Sequence, residues 1–198
     1  MLLRRAPSGL TLIELLIGLA LLAVLLALAA PSFQTQIAAS QLRSASSALL
    51  GSLLQARAQA IRLGRRVTVC RSANLQQCDI DPTGGWESGW LTFIDTDRTG
   101  LGNTAAVSAA DTPLARSEAL PATLRVRGNR QVSQYISFAA NGEARTLSGG
   151  SNPLGTVRVC STSTALADAS RATDLVLSAG GRVISRPAAN VASNCPAP

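Results

Sequence analysis

The sequence predicts an α+β protein in which one long N-terminal helix packs on a head of antiparallel β-sheet. Three observations carry that expectation. Residues 10 to 30 are a continuous apolar run with Glu14 as the one charge, residues 37 to 63 repeat apolar side chains at a mostly helical spacing, and beyond Gly64 seven short runs follow a period of two. With 198 residues, 46% hydrophobic and 15% charged, the chain can build one sizeable core and carry an appendage. Its 18 basic residues are all arginine, and neither lysine nor histidine occurs. That removes the Ser-His-Asp and Cys-His nucleophile systems, imidazole metal sites, Schiff-base lysines and the P-loop lysine. A non-catalytic protein with no cofactor, metal or small-molecule substrate is expected.

The apolar run reads LTLIELLIGLALLAVLLALAA. About 20 apolar residues at about 1.5 Å each cross a bilayer core, so residues 10–30 are expected to span a membrane. A cleaved secretory signal is the competing reading, with Ala27, Ala29 and Ala30 as the small-residue site. Arg4 and Arg5 precede the span and hold the N-terminus in the cytoplasm, which puts everything after residue 30 outside. Glu14 is the anomaly. A carboxylate at that depth costs about 2.5–3.5 kcal/mol on insertion scales and needs a partner.

The residues around it, Pro7-Ser8-Gly9-Leu10-Thr11-Leu12-Ile13-Glu14-Leu15-Leu16, resemble the leader and first mature residues of a class III prepilin. The resemblance implies a leader, residues 1–9, cut after Gly9 by a prepilin peptidase, with the new N-terminus at Leu10 methylated by a methyltransferase. Leu10 stands where most members carry phenylalanine. Counted from Leu10, Glu14 is fifth and Pro31 twenty-second, the positions that the pilin pattern gives to its glutamate and first helix proline. In a filament such a glutamate neutralises a neighbouring subunit's N-terminal amine, so Glu14 and Pro31 are the expected assembly residues. An ordinary single-span anchor with a stray glutamate is the alternative.

After Pro31, residues 31–64 carry one apolar stripe of Ile37, Leu42, Leu49, Leu53, Ala56, Ala60 and Leu63. The helix is expected to kink at Pro31 and to end near Gly64. A rod of roughly 80 Å would result, half in the membrane and half on the head.

In the head, residues 65–198, strands are expected at residues 66–70, 90–95, 123–127, 134–138, 156–160, 174–178 and 182–186, in antiparallel sheet with the helix on one face. Residues 105–110 and 147–155 read as exposed loops. Cys70, Cys78, Cys160 and Cys195 lie in an oxidising compartment by the orientation argument. Four cysteines allow three pairings, and the spacing favours Cys70 with Cys78 and Cys160 with Cys195. No CxxC spacing supports zinc.

The stretch Gly85-Trp86-Glu87-Ser88-Gly89-Trp90-Leu91-Thr92-Phe93-Ile94-Asp95-Thr96-Asp97 and the later Ser137-Phe138-Ala139-Ala140-Asn141-Gly142 resemble the GspH/FimT family. With the N-terminal segment, the likeness covers most of the chain. It implies a pilin-like fold and a minor pilin or pseudopilin that initiates or tips a type IV pilus or type II secretion pseudopilus. The implied setting is the inner membrane, with the head in the periplasm and other pilin or pseudopilin subunits as partners. Trp86, Trp90 and Phe93 are read as core packing rather than a ligand cage. Asp95-Thr96-Asp97-Arg98-Thr99-Gly100 opens like a calcium loop, but Ala106 stands where an EF-hand needs its closing glutamate, so an Asp/Gly turn is expected.

Leader removal leaves 16 arginines against 11 acidic residues. Arg125, Arg127 and Arg130 cluster on and after one expected strand, while Arg182 and Arg186 flank another. Alternation puts each pair on one face, where the guanidiniums suit phosphate. FimT-type members that take up DNA carry a Gly-Arg-x-Arg element. Here Gly181-Arg182-Val183-Ile184-Ser185-Arg186 places the second arginine two positions late. DNA is therefore the alternative partner, against a merely solvated basic face.

Overall fold

A computed structural model describes Gly9 and residues 11–97, 105–129, 132–147 and 153–198. The chain divides into two units, Met1–Ile37 and Ala38–Pro198. The first holds the start of helix α1 (Leu12–Leu63), and the second holds its remainder together with, among the described residues, eight strands. Residues 12–27 are all exposed, and α1 is long and apolar enough to cross a membrane. The helix continues unbroken through Pro31, where the imino acid removes one amide donor without ending the element.

In the second unit, helix and sheet meet along Ala38, Leu42, Ala45, Leu49, Leu53, Ala56 and Ala60, all buried. Their steps of three and four residues hold one face of a 3.6-residue helix. Ile37 and Leu63, expected on this stripe, are 58% and 38% exposed. Ala38 and Ala45 take the inward positions, because the five-residue step from Ile37 to Leu42 does not keep one face. Gly64 ends the helix with φ +62°, while Arg65 N donates to Ala60 O and Gly64 N to Ile61 O. These two bonds form a Schellman motif that only a residue tolerant of positive φ closes without strain.

The strands are β1 (Val67–Arg71), β2 (Trp90–Ile94), β3 (Thr112–Ser117), β4 (Leu124–Gly128), β5 (Tyr135–Phe138), β6 (Gly155–Ser161), β7 (Ala172–Leu177) and β8 (Val183–Ala188). They form two sheets, in the orders β3-β2-β1-β5 and β4-β6-β7-β8, with every neighbouring pair antiparallel. Both sheets turn an apolar face to the core that contains the helix stripe. Val67, Val69, Trp90, Ile136 and Phe138 come from the first sheet, and Leu124, Val126, Val157, Val159, Leu175 and Leu177 from the second. Strand β3 had no signal in the sequence. It is an edge strand with Pro113 inside it and five exposed residues, so burial imposes no alternation on it.

The first sheet is covered on its other face as well. Cys70, Leu91, Phe93 and Tyr135 form a second core there with Ala105 and Leu147, which explains why all five residues of β1 are buried. The two segments read as exposed loops are thus corrected at their ends. Ala105 is 2% and Leu147 8% exposed, Pro153 is buried, and Gly155 begins β6. Residues 148–152 lie outside the described residues.

Candidate functional site

The helix start is a reciprocal cap. Thr11 N and Thr11 Oγ1 both donate to Glu14 Oε2 at 2.9 Å, and Glu14 N donates to Thr11 Oγ1 at 3.3 Å. Thr-x-x-Glu is a capping box, which satisfies orphan amides of the first turn. Glu14 therefore has hydrogen-bond partners within its own chain, which partly offset the cost of its place in an apolar helix. Gly9 is exposed; Leu10 and residues 1–8, where the leader is expected, lie outside the described residues. Pro31 lies within α1.

The cysteines form two bridges within the head. Cys70 and Cys78 are 5.6 Å apart at Cα and close a short loop, while Cys160 and Cys195, 5.7 Å apart, fasten the C-terminal segment to β6. That segment's Val191 and Cys195 are buried with Cys160, Ala172 and Ala188 on the outer face of the second sheet. The loop closed by the first bridge leads into a stretch held by Arg71, which is 1% exposed and donates to the carbonyls of Gly84 and, at 2.5 Å, Asp81. Burial lowers the pKa of this guanidinium, and the nearby Asp79 and Asp81 oppose that shift.

The tryptophans are core residues with satisfied indoles. Trp86 Nε1 donates to Val132 O at 3.1 Å, and Trp90 Nε1 donates to Ser52 Oγ on α1 at 2.9 Å. Between them lies Glu87, in a 3-10 turn (Trp86–Ser88). Its Oε2 accepts from Val126 N at 2.9 Å and its Oε1 pairs with Arg127 Nη1 at 2.5 Å. Glu87 thus covers the open edge of β4 and ties the two sheets together.

Asp95 and Asp97 meet Asp111, their carboxylate oxygens lying within 4.8 Å of one another. Asp111 is already engaged, since Thr96 N and Ser108 N donate to it at 2.7 and 2.9 Å. Thr68 Oγ1 donates to the buried Asp95 at 2.8 Å, and Arg65 reaches Thr96 Oγ1. The group therefore closes a turn with backbone amides. Arg98, Thr99 and Gly100 lie outside the described residues.

Of the five arginines expected to suit phosphate, four lie among the described residues, and they differ in their surroundings. Arg127 is bound by Glu87, Arg125 donates to its own neighbouring carbonyls at Ala122 and Leu124, and Arg130 lies outside the described residues. Arg182 and Arg186 are exposed, on one face of β8 and the turn before it. The strand register sets two of them in a longer row. Arg127, Arg158, Asp174 and Arg186 lie side by side across β4, β6, β7 and β8, with Arg158 gripping Asp174 through two bonds of 2.8 and 3.1 Å. Arg158 and Asp174 follow from strand alternation, but their pairing depends on a register that sequence does not give.

The turn before β8 is fixed by close approach. Gly181 has φ +75°, and a Cβ there would lie 2.0 Å from Gly142 O. From the helix, Arg57 donates to Gly142 O at 3.0 Å and to Gly180 O at 3.1 Å, which clamps both turns and sets where Arg182 emerges.

Residues 45–181 match the family model described as type II transport protein GspH, and residues 4–30 match the prokaryotic N-terminal methylation motif. No curated protein matches the chain. Among solved structures it is similar to the type IV minor pilin FimU of Pseudomonas aeruginosa in two crystal forms. One shows 22% identity over 75% of this chain and 90% of that one, the other 21% over 73% and 92%, both with a TM-score of 0.51. At that identity the likeness concerns the fold, a long N-terminal helix packed on antiparallel sheets.

Proposed function

Because the chain belongs to the GspH family of minor pilins and pseudopilins, which are structural subunits rather than catalysts, we propose that it initiates or tips a filament of the type IV pilus or type II secretion class. The supporting observation is Glu14, set in an apolar helix whose residues 12–27 are all exposed and held there by Thr11. In this reading, the peptidase cuts after Gly9, Leu10 is methylated, and the helix anchors the subunit in the inner membrane with its head in the periplasm. Assembly then transfers the apolar helix from lipid to the filament, where Glu14 exchanges its capping bonds for a neighbouring amine. Exchange of one set of satisfied bonds for another makes the step reversible and dependent on register. Glu14→Ala is expected to leave membrane insertion intact and to abolish incorporation into filaments, read by shearing and immunoblotting. Normal incorporation would refute the reading.

A second reading, a DNA-binding minor pilin, draws on Arg182 and Arg186. Both are exposed on one face, and neither is in an ion pair among the described residues. Two guanidiniums rather than five would then carry the phosphate contacts.

A further inference from the structure

The outer face of the second sheet differs from end to end. At one end the C-terminal segment covers it, through the Cys160–Cys195 bridge and Val191. Beside that cover runs the row Arg127, Arg158, Asp174 and Arg186. The next row is Thr156, Val176 and Ile184, of which the first two are half-buried and the last is exposed. Ile184 is 44% exposed, and Leu154, two residues before Thr156, is 64% exposed. Val176, Ser178, Arg182 and Ile184 line a shallow hollow of about 210 Å³. Along β8, alternation puts Arg182, Ile184 and Arg186 on the same side, so an apolar side chain stands between two exposed guanidiniums.

The chemistry of this patch selects its occupant. A phosphate backbone would satisfy the arginines, yet it would leave Leu154, Val176 and Ile184 against a polar surface. No aromatic side chain is available among these residues to stack a base. A protein segment with an apolar residue flanked by carboxylates satisfies both halves at once. The covered end of the same face supplies the precedent, since Val191 lies there among apolar neighbours while Pro196 O accepts from Arg158 Nη1 at 3.5 Å. Strand addition at the β8 edge is disfavoured. Ser178 N donates to Arg182 O, so residues 182, 184 and 186 bond inward to β7 and 183, 185 and 187 face outward, where Pro187 has no amide to offer. Contact is therefore made through the face.

We propose that Leu154, Val176 and Ile184, with Arg182 and Arg186, form the docking surface for another filament subunit, recognised through an apolar side chain flanked by acidic residues. The proposal rests on the assembly reading above. It is tested in the full chain in its native membrane by Ile184→benzoylphenylalanine and photocrosslinking, the adduct being digested and sequenced by mass spectrometry. The expected adduct is a segment of a second filament subunit with aspartate or glutamate beside the crosslinked residue. Its yield should fall at least about tenfold in the Arg182→Glu, Arg186→Glu double variant, as loss of two charge-assisted contacts implies. Retained disulfides on a non-reducing gel check that this variant folds. An adduct with DNA or lipid, a segment without acidic residues, no adduct, or a yield indifferent to charge reversal overturns the proposal. Glu14→Ala, run in parallel, separates the two readings. If it blocks incorporation while Ile184 finds no acidic segment, only the docking surface falls; if it incorporates normally, the assembly reading falls as well.

Discussion

Glu87 shows how much one side chain can carry in a head with so few acids. It caps an edge amide of β4 and holds Arg127, with its side chain 18% exposed. Glu87→Ala leaves Val126 N without an acceptor and is expected to cost about 2–3 kcal/mol. Glu87→Gln keeps an acceptor oxygen and is expected to cost about half as much. Urea unfolding of the full chain in detergent micelles checks both. Asp81 gives a prediction of a different kind. Thr83 N and Oγ1 donate to its carboxylate at 2.8 Å, and these bonds hold its pKa below the ordinary aspartate value. A carboxyl depressed in the folded state contributes stability above its unfolded pKa and loses it as pH falls through the folded one. Thr83 amide exchange, corrected for the intrinsic pH dependence, should therefore accelerate on acidification below the usual carboxylate range, and Asp81→Asn should remove that acid limb. Little of this was legible in the sequence: Thr11-x-x-Glu14 is a visible capping pattern, whereas Glu87 lies within a recognisable motif that does not reveal its partners.

At the scale of elements, the long helix and seven of the eight strands among the described residues were readable from their local composition: a continuous apolar run, a helical stripe, and short β-rich runs bounded by turn residues. The exception, β3, is an exposed edge that no core disciplines. The disulfides act on different elements and should differ in weight. Cys160–Cys195 spans 35 residues and Cys70–Cys78 spans 8. By loop-closure entropy the first contributes about 4 kcal/mol and the second about 2.5 kcal/mol. The Cys160→Ala, Cys195→Ala variant should accordingly melt below the Cys70→Ala, Cys78→Ala variant. It should also release Val191 from Ala172 and Ala188, which limited proteolysis of residues 189–198 would detect. The reverse order of melting temperatures would show that the small core on Cys70, rather than loop entropy, dominates.

For the whole molecule, an arginine surplus is easily mistaken for a site. The chain's 18 arginines outnumber its 11 acidic residues, but the structure engages several of them with carbonyls and carboxylates within the fold. If the DNA reading holds, duplex binding by the full chain in micelles should be weak. The slope of log affinity against log salt should then be no steeper than about −2, the value for two phosphate contacts, and Arg182→Ala, Arg186→Ala should flatten it. A slope near −5 would instead indicate phosphate contacts by all five of the expected arginines. The sequence by itself determined the membrane-length helix, the lone glutamate within it, the family likeness and the absence of histidine and lysine chemistry, because composition and local spacing are properties of neighbouring residues. Only the tertiary structure decided that the head has two sheets and that Glu87 joins them. It also decided which arginines keep a free guanidinium, because register between distant strands determines which charges meet.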